Sequence, residues 1–138
     1  MALPQAHRLR GQRVFDALYR RGRAIHGMAM VLRWMPADAA LLPQPQDPQP
    51  TSPWRCGVVV SSKVHKRAVQ RNRLRRLLHQ GLQTLMQAPD SPHNPAGISG
   101  LPHGIWLLIS LKPGSATWEH ERLLGECRYL LAKAGLTP

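Results

Sequence analysis

The chain has 138 residues, carrying 19 Lys and Arg against 7 Asp and Glu for a formal net charge of +12. That length is enough for one domain with a real core, and so much positive charge on so small a chain points to a polyanionic partner, nucleic acid before an anionic membrane surface. No apolar run approaches the roughly 20 residues needed to cross a bilayer, and MALPQAHRLR has no apolar segment behind its charges, so a secretory signal is not expected and the cytoplasm is.

Residues 1–11 read as extended, with Arg8 and Arg10 basic. Residues 12–21, QRVFDALYRR, read as a short helix. Val14, Phe15, Leu18 and Tyr19 recur at helical spacing, and Gly22 follows as a C-cap. Phe15 is the chain's one phenylalanine, and Tyr19 lies one turn further on. The residues alone support two readings equally. The aromatics pin the helix to a sheet, or they form a stacking platform for bases beside the cations Arg20, Arg21 and Arg23.

Residues 25–35, IHGMAMVLRWM, read as a strand closed by Pro36. Residues 36–53 contain six prolines and read as a polar connection. Trp54 to Ser61 is a second, Val-rich strand, with Gly57 permitting a bulge or a close approach.

A basic helix is expected over residues 66–87, about 33 Å long at 1.5 Å per residue. The run KVHKRAVQRNRLRR holds Lys63, Lys66, Arg67, Arg71, Arg73, Arg75 and Arg76, and no acid occurs between Asp47 and Asp90. Arg67, Arg71 and Arg75 stand at i, i+4 spacing, where like charges cost roughly 0.2–0.5 kcal/mol per pair. The charges also crowd the N-terminal half, where the macrodipole disfavours cations. Wheel geometry puts Arg67 and Arg71 on the side of Leu74, Leu78 and Leu85, so the first turns are expected to overhang the core. A solvated helix face usually mixes signs, and this one does not, so a polyanion is the favoured partner.

Residues 89–102 read as a second Pro-rich loop. Residues 104–111, GIWLLISL, are too uniformly apolar for an exposed strand and belong at the centre of the sheet. Lys112-Pro113-Gly114 is a turn. Residues 116–134 read as the last helix, with Glu119 and Glu121 in its first turn and Gly135 as its C-cap. It carries three of the seven acids, so it is expected to form the less basic back of the protein. The order helix, strand, strand, helix, strand, helix predicts an α/β (α+β) two-layer sandwich, with helices on a sheet of three or four strands, in a single domain spanning residues 1–138.

Protein-based catalysis is poorly provided for. The histidines at 7, 26, 65, 79, 93, 103 and 120 show no metal-ligand spacing. There is no GxxxxGK phosphate loop and no GxSxG elbow. The carboxylates are few and gathered on one helix, which does not suit acid–base or two-metal chemistry. Cys56 and Cys127 sit in apolar patterns and read as reduced core residues.

Taken together, these residues carry a resemblance. Residues 57–80, GVVVSSKVHKRAVQRNRLRRLLHQ, resemble the signature of the bacterial ribonuclease P protein subunit: a Val-rich strand, a Ser/Lys-Lys pair, then a basic helix with Arg-Asn-Arg and a further basic pair. Residues 3–22, LPQAHRLRGQRVFDALYRRG, are similar to the family's N-terminal pattern of Arg-Leu followed by two aromatics four residues apart. The resemblance spans the chain apart from the Pro-rich loops.

It implies an RNA-binding subunit of a ribozyme. The catalyst would be the large RNA, the particle would use Mg²⁺, and the substrate would be precursor tRNA, whose 5′ leader is removed by endonucleolytic cleavage. Lys63, Lys66, Arg67, Arg71, Asn72, Arg73, Arg75 and Arg76 would face the ribozyme RNA. Phe15, Tyr19, Arg10 and Arg33 would belong to the cleft that takes the single-stranded leader. The resemblance also implies a left-handed crossover through the basic helix. Ser62 stands where the family usually has lysine, Arg33 stands near a usual aromatic, and the insert at 36–53 is longer than usual. Three rivals remain: a ribosomal or other structural RNA-binding module without a role in cleavage, a protein-only nuclease, and a helix-turn-helix DNA binder, although the last lacks a second helix close to the basic one.

Overall fold

The computed structural model describes residue 9 and residues 11–38, 54–86 and 105–136. Arg10 and most of the two Pro-rich loops lie outside the described residues. The elements in chain order are α1 (Gln12–Arg21), β1 (Arg23–His26), β2 (Met30–Pro36), β3 (Trp54–Val59), α2 (Ala68–Met86), β4 (Ile105–Leu111), a 3-10 turn (Ser115–Thr117) and α3 (His120–Lys133). No helix among the described residues is long and apolar enough to cross a membrane.

The expected α+β fold is present, but helices cover both faces of the four-stranded sheet of order β1-β2-β4-β3, so there are three layers rather than two. β1–β2 and β2–β4 are antiparallel, while β3 runs parallel to β4. The chain therefore leaves β3, passes through α2 and returns to the neighbouring strand. β4 is the apolar run IWLLISL, and it is central as its composition required. Its alternate side chains feed two cores. Ile105, Leu107, Ile109 and Leu111 pack with Leu74, Leu78 and Leu82 of α2 and with Leu123, Cys127 and Leu131 of α3. On the other face, Trp106 and Leu108 pack with Val14, Ala17 and Leu18 of α1 and with Met35.

Several expected boundaries shift, each for a local reason. The apolar run at 25–35 is two strands, because the chain turns back at Gly27–Ala29. The turn is held by a residue far away in sequence. The Glu126 carboxylate of α3 accepts the backbone N–H of Met28 at 2.6 Å and of Ala29 at 2.8 Å. A Cβ on Gly27 would come within 2.8 Å of that carboxylate. The Lys112 ammonium closes the other side, donating to the Gly27 carbonyl at 2.6 Å. Nothing local in the sequence announces this tie.

The second strand ends at Val59 rather than Ser61. The basic helix starts at Ala68, so Lys66 and Arg67 belong to the preceding turn, and its 19 residues span about 28 Å. The last helix begins at His120, because Gly114, in the left-handed region at φ 93°, leads into the 3-10 turn first. α3 lies beside α2 on the same sheet face, and the carboxylate of Glu126 is committed to the β1–β2 turn. Gly135 ends α3 as expected. Its φ is 78°, and the bonds Gly135 N–H to Ala132 O (3.0 Å) and Leu136 N–H to Leu131 O (2.9 Å) form a Schellman motif. Gly22 follows α1 in an extended conformation, and its requirement for glycine is steric: a Cβ would stand 2.4 Å from the Leu18 carbonyl oxygen.

The tie at Glu126 gives a stability prediction. A hydrogen bond to a charged group contributes about 1.5–3 kcal/mol, and its loss strands two backbone donors. Glu126→Ala is expected to reduce the unfolding free energy in urea by about 2 kcal/mol at unchanged m value. A loss below about 0.5 kcal/mol would mean that strand pairing alone holds the turn.

Candidate nucleic-acid interface

Two features gather the expected site residues. The first is the turn at 61–67 with the first half of α2. Val64 is buried, and its N–H bonds the Ser61 carbonyl at 3.0 Å, which fixes the turn after β3. Lys63, Lys66 and Arg67 are exposed around it. The Arg67 N–H donates to His65 Nδ1 at 3.0 Å. Leu74, Leu78 and Leu82 bury one side of α2, and Asn72, Arg73 and Arg76 stand exposed on the other. Val69, 69 % exposed, sits among them as an apolar spot on the charged face.

The arginines divide by role. Arg71 is half-buried on the leucine side, as wheel geometry required, and its guanidinium donates to the carbonyls of His65 (3.0 Å) and Lys66 (2.8 Å). It straps the turn to the helix and disperses its own charge onto carbonyl dipoles. Arg75 donates to Asn72 Oδ1, which orients the amide. Arg73 and Arg76 are left pointing into solvent. Among the described residues, no carboxylate pairs with any cation between 63 and 76. The first turn of α2 contains no acid either. Cations therefore gather at the N-terminal end of the helix, where the macrodipole disfavours them and no acid offsets them.

The second feature is the face of the sheet that carries α1. β-register puts Gly57, Leu108 and Arg33 in one row across β3, β4 and β2. α1 crosses that row. Phe15 lies over its β3 end, where the ring approaches Gly57 to 3.5 Å of an ideal Cβ position, and it is half-buried against the smaller core. Tyr19 lies over the β2 end, 49 % exposed, with the Arg33 guanidinium 4.7 Å from its ring centroid. Phe15, Tyr19 and Arg33 thus come together. Phe15 pins the helix to the sheet, while Tyr19 stays half exposed with a cation over its ring.

The next row on this face is Val59, Ser110 and Val31. Val59 and Ser110 are half-buried, and Ser110 Oγ has no hydrogen-bond partner. These residues were not foreseen. Their common signal is period-two alternation in each strand, but the register that aligns them is not written in any one segment. The turn at 61–67 begins just past Val59, so both features meet at the C-terminal end of β3.

Among the described residues, no group of three His, Cys, Asp or Glu side chains could hold a metal ion. Cys56 and Cys127 are free and buried. Burial, with Glu126 adding to it, pushes the Cys127 thiol up to about 12, and burial followed by the neighbouring Cys127 pushes Cys56 upward as well. Both remain protonated thiols in the core, unsuited to nucleophilic work.

The chain is similar to known proteins along nearly its whole length. Residues 3–135 match the family model described as Ribonuclease P. The chain is 49% identical over 136 residues to the Ribonuclease P protein component of Parasynechococcus marenigrum (strain WH8102), covering 99% of this chain and 98% of that protein. It is 48% identical over 143 residues to the protein of the same name from Synechococcus sp. (strain WH7803), covering both chains in full. Among solved structures, the Staphylococcus aureus RNase P protein superposes with a TM-score of 0.71 at 13% identity, covering 97% of this chain and 100% of that one. The Thermotoga maritima RNase P protein superposes at 0.62 and 18% identity, covering 91% and 96%. At those identities the structures speak for the fold alone.

The division among the arginines is testable without any ligand. Arg71→Ala is expected to destabilise the folded protein by about 1–2 kcal/mol, through two lost hydrogen bonds. Arg73→Ala is expected to leave stability within about 0.5 kcal/mol. Urea unfolding of the two variants side by side checks this, and equal effects would contradict the strap.

Proposed function

The chain belongs to the ribonuclease P protein family, and on that premise we propose that it binds the catalytic RNA through the α2 face and the 5′ leader of precursor tRNA through the α1 cleft. The observation that carries this reading is the Tyr19–Arg33 stack beside Phe15, together with a cation cluster that has no carboxylate partner among the described residues. A single-stranded leader needs aromatic faces for its bases and cations for its backbone, and the cleft offers both. A folded RNA needs phosphate contacts from a rigid element, and Arg73, Arg76, Lys63, Lys66 and Arg67 supply them around α2. Asn72, oriented by Arg75, is placed to bond a phosphate or a ribose hydroxyl. Arg71 acts chiefly by holding the turn in shape.

Cleavage is assigned to the RNA. The protein offers buried thiols and few acids, three of the seven at residues 119–126, and a reaction of this kind needs groups that hold metal or move protons. We place the Mg²⁺ of the particle on RNA phosphates. The protein's part is to lower the repulsion between two polyanions, so that substrate and ribozyme associate at lower Mg²⁺. The cytoplasm, where tRNA is made, is the compartment this role implies.

Two expected outcomes follow. Phe15→Ala should weaken binding of precursor tRNA to the RNA–protein particle by about 1–3 kcal/mol, the range for one base–aromatic stack, and leave mature tRNA nearly unaffected. Equal losses for both ligands would place the leader elsewhere. Arg73→Glu with Arg76→Glu should weaken binding to the catalytic RNA and reduce the slope of log K against log salt by about 1.4–1.8, at roughly 0.7–0.9 per phosphate contact. An unchanged slope in the folded double variant would remove α2 from the RNA interface.

A further inference from the structure

We propose that the outer face of α3 is a second stacking site for unpaired RNA, separate from the α1 cleft and on the opposite side of the sheet. α3 turns Leu123, Cys127, Leu130 and Leu131 into the core. At 3.6 residues per turn, Arg122, Gly125, Tyr129 and Lys133 fall together on the other side. Three of them have exposed side chains. The stripe joins an aromatic to cations, the same chemistry found where Arg33 covers Tyr19.

Each member is arranged for a nucleotide. The Arg122 guanidinium lies 4.0 Å from the Trp118 ring centroid. Trp118 is itself packed against the core, so it serves as a fixed floor that holds the guanidinium flat, with its outer plane open to a base and its edges open to phosphate. Tyr129 is 60 % exposed and packs on no core cluster. Lys133 stands 5.8 Å from its centroid, near the outer limit of a cation–π contact, where the ammonium can serve a phosphate beside the ring. Between them, a Cβ at Gly125 would meet nothing within 4 Å. Alanine would fit there and favour the helix by about 1 kcal/mol, so packing does not explain the glycine. Its effect is a bay between the planar arginine and the tyrosine where a ligand can come close to the helix.

Charge selects RNA as the occupant. Glu126 is occupied by the β1–β2 turn, while exposed Glu121 stands one turn before Gly125 at the edge of the stripe. Arg122 and Lys133 outnumber it, so the stripe keeps a net positive charge. A second copy of the chain would bring like charges together on a strip with one exposed aromatic, and a lipid surface would need a wider apolar face. A strand of unpaired RNA meets both requirements. This inference does not rest on the leader assignment, because it can be read without ribozyme or tRNA.

The test uses the full chain and a fluorescein-labelled single-stranded oligouridylate, with a 4-thiouridine version for crosslinking. Phe15→Ala with Tyr19→Ala first silences the α1 cleft. In that background, Tyr129→Ala should weaken the remaining binding at least about fivefold, and Tyr129→Phe should retain it. Arg122→Gln with Lys133→Gln should flatten the salt dependence by about 1.4 in log–log slope. Crosslinks should map to residues 118–133 and disappear with Tyr129→Ala. Unchanged affinity for Tyr129→Ala, or crosslinks confined to residues 11–38 and 61–76, would overturn the proposal. So would sedimentation in which Tyr129→Ala abolishes self-association and leaves oligouridylate binding intact.

Discussion

β4 has no polar face to offer water, and the rest of the molecule is arranged around hiding it. Leu107, Leu108 and Ile109 are fully buried, which takes one helical layer above the strand and another below. The chain meets this by pairing β4 with β2 on one side and β3 on the other, then covering one face with α1 and the other with α2 and α3. The parallel pairing of β3 with β4 has the larger consequence. The chain must leave the C-terminal end of β3 and travel back before it can enter β4, and α2 is that return path. The N-terminus of α2, with its cations, therefore stands at the same end of the sheet as Val59, Ser110 and Val31. A requirement of the core places the basic turn next to the cleft.

The first turns of α2 show what this arrangement tolerates. Cations gather where the dipole opposes them, and no carboxylate between 63 and 76 relieves them. The helix is held instead by Leu74, Leu78 and Leu82 further along, each of which buries nearly its whole side chain at roughly 1.5–3 kcal/mol. Arg71 solves its own problem by turning back onto two carbonyls. The cost at Arg73 and Arg76 remains, and a phosphate backbone would relieve it. Under the proposed RNA contact, the stability of the isolated protein and the strength of binding are opposed at these positions.

Much of this was legible in the residues. Runs with a strong single period read correctly: α1 from Val14, Leu18 and their neighbours, β4 from its unbroken apolar character, and the charged side of α2 from the placement of Leu74 and Leu78. What failed depended on contacts and backbone conformations that no single helical or strand period encodes. IHGMAMVLRWM reads as one strand because its turn is stabilised by Glu126, almost a hundred residues on. Trp118 reads as helical because its spacing fits, although Gly114 commits the chain to a 3-10 turn first. For the candidate site, the residue types could be named in advance, and Phe15, Tyr19 and Arg33 do meet. Gly57, Ser110 and Val31 could not be placed, since only strand register aligns them. The wheel placed Arg71 on the inner side correctly, but the two carbonyls it binds belong to a turn whose shape no helical period encodes.

The central claim is that this protein assists an RNA catalyst and performs no cleavage itself. The most direct measurement is cleavage of precursor tRNA at low Mg²⁺ in three mixtures: protein alone, catalytic RNA alone, and both. The account predicts efficient cleavage at the mature 5′ end in the mixture of both, with little from either component by itself. Cleavage by the protein alone would contradict it by placing catalytic groups among side chains taken here as binding or structural. A protein that added nothing to the RNA would contradict it in the other direction and leave a structural RNA-binding module as the better description.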